Sequence, residues 1–269
     1  MYEIATFLRY PGSKRRMLDF LLGHLPDAAA IKGRFVEPFV GGGSVYFALS
    51  PKKADLGHIN MELIELYRGI ALSPDRIWRL HRSFPNTKAA YKKIRRLDSR
   101  ELTLFQRSAR SLFLNRTCFK GMWRHNLKGE FNIGYGGQDR RWSIRRADLF
   151  EISAQLKNAR IKCCDFESMI DDCKRRDFVF LDPPYRPGAK EQIHAHYGAH
   201  QFRFVDHIRL AKSLQRADAR CVPWAITISN HPAILKLYRS FKVRAIPRGT
   251  GSSIGRMSAL GGEVLISNC

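Results

Sequence analysis

The sequence predicts an α/β fold: a doubly wound, mostly parallel sheet of about seven strands, closed by a C-terminal antiparallel hairpin. Three observations carry this. Seven short apolar runs end in turn or polar residues, and over most of the chain amphipathic helical patterns separate them; strands alternating with helices argue a parallel sheet. Three consecutive glycines directly follow the first run. The last two runs are joined by "PRGTGSSIGRMSALGG", residues 247–262, which has no helical period and favours a hairpin over a crossover helix.

In chain order, "SKRRMLDFLLGHLP" (13–26) has a broad apolar helical face formed by Met17, Leu18, Phe20, Leu21, Leu22 and Leu25. Strands are expected at Arg34–Val40 and Lys53–Asn60. Between about Met61 and Asp148 the alternation breaks. Helical patterns follow one another there ("MELIELYRGIAL", "SPDRIWRLHRSF", "KAAYKKIRRL", "LTLFQRSARSLFL"), then the chain becomes Gly/Asn-rich at "KGEFNIGYGGQDRRW". Strands resume at Arg160–Phe166, Asp177–Leu181, Val222–Ser229, Phe241–Ile246 and Glu263–Ser267, with helical "FVDHIRLAKSLQRA" and "HPAILKLYRSF" between them. The chain therefore reads as one α/β domain, residues 1–60 and 149–269, interrupted by a mainly helical unit at 61–148. No internal repeat is present.

Charge marks the interrupting unit. The chain holds 47 Lys and Arg against 24 Asp and Glu, a net charge of +23. Between Arg76 and Arg146 the count is 19 against 4, while the rest of the chain has 28 against 20. A basic segment this concentrated faces a polyanion, nucleic acid first; the plainer alternative is a solvated surface. No apolar run reaches membrane-spanning length and "MYEIATFLRY" lacks an apolar leader core, so no membrane partner is expected. The six cysteines form no CxxC pair and no His/Cys cluster has zinc spacing, which fits a reduced cytosolic setting and no metal.

Two motifs carry chemistry. In "RFVEPFVGGGSVYFAL", residues 34–49, a strand passes through a glycine turn into a helix, where the backbone can approach a ligand closely. A Walker loop is excluded because no Gly-Lys-Ser/Thr follows, and a dinucleotide fingerprint fails at Tyr46. The remaining Phe-x-Gly-x-Gly form suits an adenosyl-amino-acid cofactor, with a plain tight turn as the alternative. In "RRDFVFLDPPYRPG", residues 175–188, a bare apolar strand runs into Asp182, Pro183, Pro184 and Tyr185. The prolines forbid both sheet and helix and stiffen the chain. A rigid elbow with a carboxylate, a bare carbonyl and an aromatic face is suited to gripping something flat that bears an amino group.

Together the motifs lead to a family. "FLRYPGSK" (7–14), "FVEPFVGGGSV" (35–45), "LFLNRTCFKGMWRHNLKGEFNIGYG" (112–136), "FLDPPY" (180–185) and "ISN" (228–230) stand in this order. The chain resembles the Dam-type DNA adenine-N6 methyltransferases, the D12 class of the alpha group, from about Thr6 to Asn268. The resemblance implies a class I methyltransferase-like fold with S-adenosyl-L-methionine as cofactor, and an inserted target-recognition domain bearing a β-hairpin. It also implies direct transfer to N6 of an adenine flipped out of double-stranded DNA. An exocyclic amine is a poor nucleophile, because its lone pair is delocalised into the ring. Asp182 and the Pro183 carbonyl can accept the two N6 hydrogens and aim that lone pair at the sulfonium methyl. Tyr185 can stack on the flipped base.

By the same resemblance, Tyr10, Lys14, Phe39, Gly41, Gly43, His58 and Asp182 lie around the cofactor, and Phe119, Lys120, Met122, Arg124 and Asn126 face DNA. Arg124 is a natural bidentate reader of guanine, and Phe119 and Met122 are candidate wedges for the gap left by flipping. Lys92, Lys93, Arg95 and Arg96 suit phosphate contacts, or else a solvated helix face. The leading target is GATC. "HAHYGAHQF" (194–202) invites a metal reading through its three histidines, but the family places an aromatic-bearing active-site loop there, which would use Tyr197 and Phe202.

The chain departs from the family at four places. Tyr10 stands where Trp is commoner. His58 replaces the aspartate that holds the ribose hydroxyls, and Asp55, three residues earlier, would substitute only with a shifted register. Lys120 replaces an asparagine and Gly134 a proline, both in the part that reads bases. Three alternatives therefore stay open: another or relaxed sequence specificity, RNA as substrate, or an inactive DNA-binding relative. A cytosine-N4 enzyme is disfavoured, since those usually carry Ser at the position of Asp182. The protein is expected in the cytoplasm of a bacterium or archaeon or from a phage, either solitary or in a restriction-modification pair. It is expected as a monomer that can pair on DNA.

Overall fold

The structure, a computed structural model, describes residues 7–10, 12–126, 129–137, 143–184, 202–247 and 262–269. The seven strands are β1 Phe35–Glu37, β2 Ala54–His58, β3 Ala159–Cys163, β4 Phe178–Leu181, β5 Trp224–Ser229, β6 Lys242–Ala245 and β7 Glu263–Ser267. They form a single sheet in the order β3-β2-β1-β4-β5-β7-β6. The first five run parallel; β7 is antiparallel to both β5 and β6. The mostly parallel sheet and the closing hairpin match the sequence expectation. β1 is shorter than the expected Arg34–Val40 because Pro38 has no N–H to offer the ladder.

Burial explains the order. β1, β4 and β5 sit inside the sheet, and all of Phe178-Val-Phe-Leu181 is buried. The edges, β3 and β6, carry Arg160, Lys162, Lys242 and Arg244, charges that discourage pairing with another chain. Alternate side chains feed two cores. Phe35, Leu56, Phe178 and Phe180 point to one face, Val36, Val179, Leu181 and Trp224 to the other.

The helices are α1 Leu18–Leu22, α2 Ser44–Leu49, α3 Met61–Leu72, α4 Pro74–Ser83, α5 Lys88–Arg95, α6 Leu104–Thr117, α7 Arg146–Leu156, α8 Phe166–Asp171, α9 Phe204–Ala219 and α10 Pro232–Leu235. The helical pattern at 13–26 resolves into a 3-10 turn, Lys14–Met17, and the short α1, which stops at Gly23. Asn60, Thr87 and Thr103 cap α3, α5 and α6 with side-chain oxygens. One side of α3 packs on β2 and β3 and another on α6, so the first core continues through Leu63, Tyr67 and Ile77 into Leu112 and Trp123. A smaller core of Tyr91, Ile94, Phe113, Leu114, Cys118, Phe131 and Ile133 lies within residues 61–148. Among the described residues no helix is long and apolar enough to cross a membrane.

Candidate active site

The strand order reverses between β1 and β4, which are parallel neighbours although about 140 residues separate them in sequence. Their C-terminal ends, with that of β2, bring three sequence motifs to one place: the glycine turn after β1, His58 at the end of β2, and Asp182 directly after β4.

Asp182 is clamped on one oxygen. Lys14 Nζ lies 2.7 Å from its Oδ1, and Thr227 Oγ1, on β5, donates to the same atom at 2.9 Å. Among the described residues nothing bonds Oδ2, and the side chain remains 21% exposed. Burial raises the Asp182 carboxyl above its ordinary range; the charge and hydrogen bond of Lys14 and the Thr227 hydroxyl oppose that rise. Lys14 is only 4% exposed, donates to the Gly12 carbonyl, and lies 3.6 Å from Glu263 on β7. Pro183 is buried and Pro184 half-buried behind Asp182. Tyr185, Tyr197 and the histidine run lie outside the described residues. Phe202 is described; it packs edge-on against Phe39, which stacks on Phe166.

Beside Asp182 stands a residue the sequence reading passed over. Glu37 ends β1, is 3% exposed, and its Oε2 has no hydrogen-bond partner among the described residues. Burial, then the nearby charge of Asp182, pushes its carboxyl well above the usual range. Its signal in the sequence was an acidic residue inside an apolar strand. Thr227, in "WAITIS", and Glu263 gave similar signals.

The glycine turn takes its shape from Tyr10. Gly41 and Gly43 have φ of +46° and +66°, the left-handed region that favours glycine, and a Cβ on Gly41 would sit 3.0 Å from the Tyr10 ring. Tyr67 donates to the Gly41 carbonyl at 2.9 Å. Tyr10 also meets His58, with Oη 3.2 Å from Nε2, and its ring lies 6.3 Å from that of Trp123. The Asn60 amide donates to His58 Nδ1 at 2.9 Å, so in the neutral ring the proton sits on Nε2 and points at Tyr10. Burial lowers the His58 pKa to about 4. Two of the four departures from the family, Tyr10 and His58, are thus one hydrogen-bonded pair. Asp55 takes no part: Arg34, Arg160 and Lys162 hold it, and it stays in register opposite Val36 and Arg160.

Residues 117–126 and 129–136 pair as a hairpin tied by bridges and single bonds rather than by long strands. Cys118 pairs with Tyr135 and His125 with Phe131, while Asn132 N–H donates to Arg124 and Phe119 N–H to Gly134. Phe119 is exposed at the base of the hairpin, just after α6, with the Lys120 ammonium 5.3 Å over its ring. Lys120 has φ 54°, a conformation in which asparagine is at less cost than lysine. Met122 packs against the smaller core rather than standing clear. Arg124 Nε donates to Asn132 Oδ1 at 3.2 Å; the Asn126 side-chain NH2 donates to Glu130 Oε2 and its Oδ1 accepts from the Glu130 N–H. On α5 and at its C-terminal cap, Lys92, Lys93 and Arg96 are exposed, whereas Arg95 reaches the Ile133 carbonyl. Among the described residues no group of three His, Cys, Asp or Glu side chains is placed to hold a metal ion.

Comparison with known proteins agrees with this geometry. The family model described as D12 class N6 adenine-specific DNA methyltransferase matches residues 10–248. The type II methyltransferase M1.LlaDCHI of Lactococcus lactis subsp. cremoris is 29% identical, over 99% of this chain and 96% of the relative. The type II methyltransferase M.MjaIII of Methanocaldococcus jannaschii is 32% identical, over 91% of each. The DNA adenine methylase of Escherichia coli K12 is 31% identical, over 87% of this chain and 84% of the relative.

Proposed function

Since the chain belongs to the D12 class of N6 adenine-specific DNA methyltransferases, enzymes that use S-adenosylmethionine, we propose that it methylates N6 of an adenine flipped out of duplex DNA, with GATC as the leading target. The observation that carries this is the half-engaged carboxylate of Asp182. Lys14 and Thr227 fix Oδ1, and among the described residues Oδ2 is left for a donor.

The pocket residues fit the cofactor. Glu37 Oε2 is a buried acceptor suited to a cationic ligand, and the turn at Gly41–Gly43 lets backbone approach one closely. Tyr10, Lys14, Phe39 and His58 border the same space, His58 offering a neutral imidazole where relatives offer a carboxylate. When bound, S-adenosylmethionine supplies a methyl activated by its sulfonium. The protein does the rest by placement. Asp182 Oδ2 and the Pro183 carbonyl accept the N6 hydrogens, which turns the nitrogen lone pair toward the methyl. Lys14 opposes the effect of burial and favours the charged form of Asp182. Tyr185 stacks on the base.

Residues 61–148 form the inserted recognition domain. Arg124 reads a guanine edge, Phe119 and Lys120 stand exposed at the base of the hairpin, Met122 supports it from within, and Asn126 braces its turn. Lys92, Lys93 and Arg96 grip phosphates. A second reading, adenine-N6 methylation at another sequence, is favoured by Lys120 in its left-handed conformation and by Gly134, where a Cβ would meet nothing within 4 Å and packing does not demand glycine. The protein works in the cytoplasm, as a monomer or paired on its site.

The test combines unmethylated genomic DNA with radiolabelled S-adenosylmethionine and sequencing that reports each modified base. N6-methyladenine confined to GATC is the expected result. Another motif would uphold the chemistry and overturn GATC; no transfer to DNA would overturn the reading.

A further inference from the structure

We propose that Glu62 and His125 form a positioning pair that fixes the DNA-reading hairpin to the helix starting beside the cofactor pocket. The inference rests on the reading of 117–136 as the target-recognition segment. His125 is 3% exposed and its Nε2 lies 2.8 Å from Glu62 Oε2. Glu62 is in the first turn of α3, four residues after His58 and two after its cap, Asn60. The other oxygen of Glu62 receives Arg110 of α6 at 3.2 Å, and Arg110 also donates to the Ile94 and Arg95 carbonyls at the end of α5. One carboxylate therefore gathers α3, α6, the end of α5 and the hairpin.

Lower in the hairpin, Phe131 and Ile133 pack in the smaller core, and Tyr91 and Arg95 both donate to the Ile133 carbonyl. Around the base-reading residue the ladder narrows to the His125–Phe131 bridge, and Arg124 and Asn126 bond Asn132 and Glu130 of the hairpin itself. His125, between them, faces inward and also sets its ring edge on Phe131, with centroids 5.7 Å apart. An apolar side chain would fill the same space with a smaller dehydration cost. What the polar pair adds is direction: the bond between His125 and Glu62, with Arg110 holding the other carboxylate oxygen, sets the position and tilt of the backbone that carries Arg124. Burial alone raises the Glu62 carboxyl, but His125 and Arg110 together more than offset it and keep it ionised. The stretch 58–62 thus borders the cofactor pocket at one end and holds the base-reading hairpin at the other.

The experiment uses the full chain with His125→Phe, which keeps a ring against Phe131 and removes the bond, and the milder Glu62→Gln. Three quantities are measured: amide hydrogen exchange across 122–132, the base-resolution methylation pattern on unmethylated genomic DNA, and S-adenosylmethionine affinity. In His125→Phe, exchange in 122–132 should quicken about tenfold, and methylation at sites differing by one base pair should rise about tenfold relative to the main site. Cofactor affinity should stay within about twofold of wild type. Glu62→Gln should move the first two quantities in the same direction by less, since an amide still pairs with imidazole; it decides the matter if His125→Phe does not fold. Unchanged exchange in 122–132, or a uniform loss of rate with discrimination intact, overturns the pair as a positioning device. Absence of any DNA methylation by the wild type would instead count against the proposed function, and the exchange measurement would still decide whether the anchor exists.

Discussion

Lowering the pH should expose His58 as a stability liability of calculable size. Its pKa falls from 6.5 to about 4 in the folded protein because burial disfavours the charged ring. Protonation would also set an N–H on Nδ1 against the Asn60 amide N–H that now donates to it. In the unfolded chain the ring takes its proton near the ordinary value. Above pH 6.5 both states are neutral and the residue costs nothing. As pH falls toward 4 only the unfolded state gains the proton, and stability drains away. The full loss across that window is roughly 3 kcal/mol, at 1.36 kcal/mol for each unit of displacement. Urea unfolding of wild type and His58→Gln at several pH values between 7 and 4 isolates the term, since every other titrating group is common to both. Wild type should lose about 3 kcal/mol more than the variant over this range. Parallel curves would refute a buried neutral imidazole. The same burial means that cofactor affinity should not vary with the charge of His58 between pH 6 and 8, which titration calorimetry can check.

Other expectations follow from the site. Asp182→Ala should lower methyl transfer at least about 100-fold while most DNA binding persists; near-normal turnover by radiolabel incorporation would remove Asp182 from its role. Gly41→Ala sets a Cβ 3.0 Å from Tyr10 at φ +46°, which costs about 1–2 kcal/mol and should weaken S-adenosylmethionine binding about tenfold by calorimetry, with DNA affinity unchanged. Lys120→Asn should raise stability by up to about 1 kcal/mol, seen as a higher Tm, because asparagine accepts the left-handed backbone more readily. DNA affinity should fall steeply with salt, as the charge on residues 76–146 requires; a flat response between 50 and 200 mM salt would place the DNA surface elsewhere.

The seven strands were legible because each is an apolar run broken by a turn residue, a contrast that local sequence carries in full. Their order was not, since β1 pairs with β4 across a long insertion and nothing in either run names the other. The first helix looked longer than it is because its apolar face continues past Gly23, where the helix ends. The site divides in the same way. The glycine turn and Asp182 are local signals and were readable. Glu37, Thr227 and Glu263 matter only because neighbouring strands bring them to Asp182. Tyr10 and His58 were visible as separate oddities 48 residues apart; only the fold makes them one bonded pair. Asp55 was left open as a substitute, and its three cations in space close that question.

The strand β7 comes last of the seven in the chain yet lies between β5 and β6. During synthesis, β5 must therefore wait on the ribosome with its ladder edge bare, and β6 has no neighbour to join, until the residues from Glu263 onward emerge. Glu263 itself stands beside Lys14, so the corner around Lys14 and Asp182 is assembled in the same late step. A nascent chain halted before that point would present an apolar strand edge to its surroundings, the surface on which chains stick to one another. Slowing synthesis or lowering temperature during production should improve the yield of soluble protein more than any change to the hairpin around Arg124.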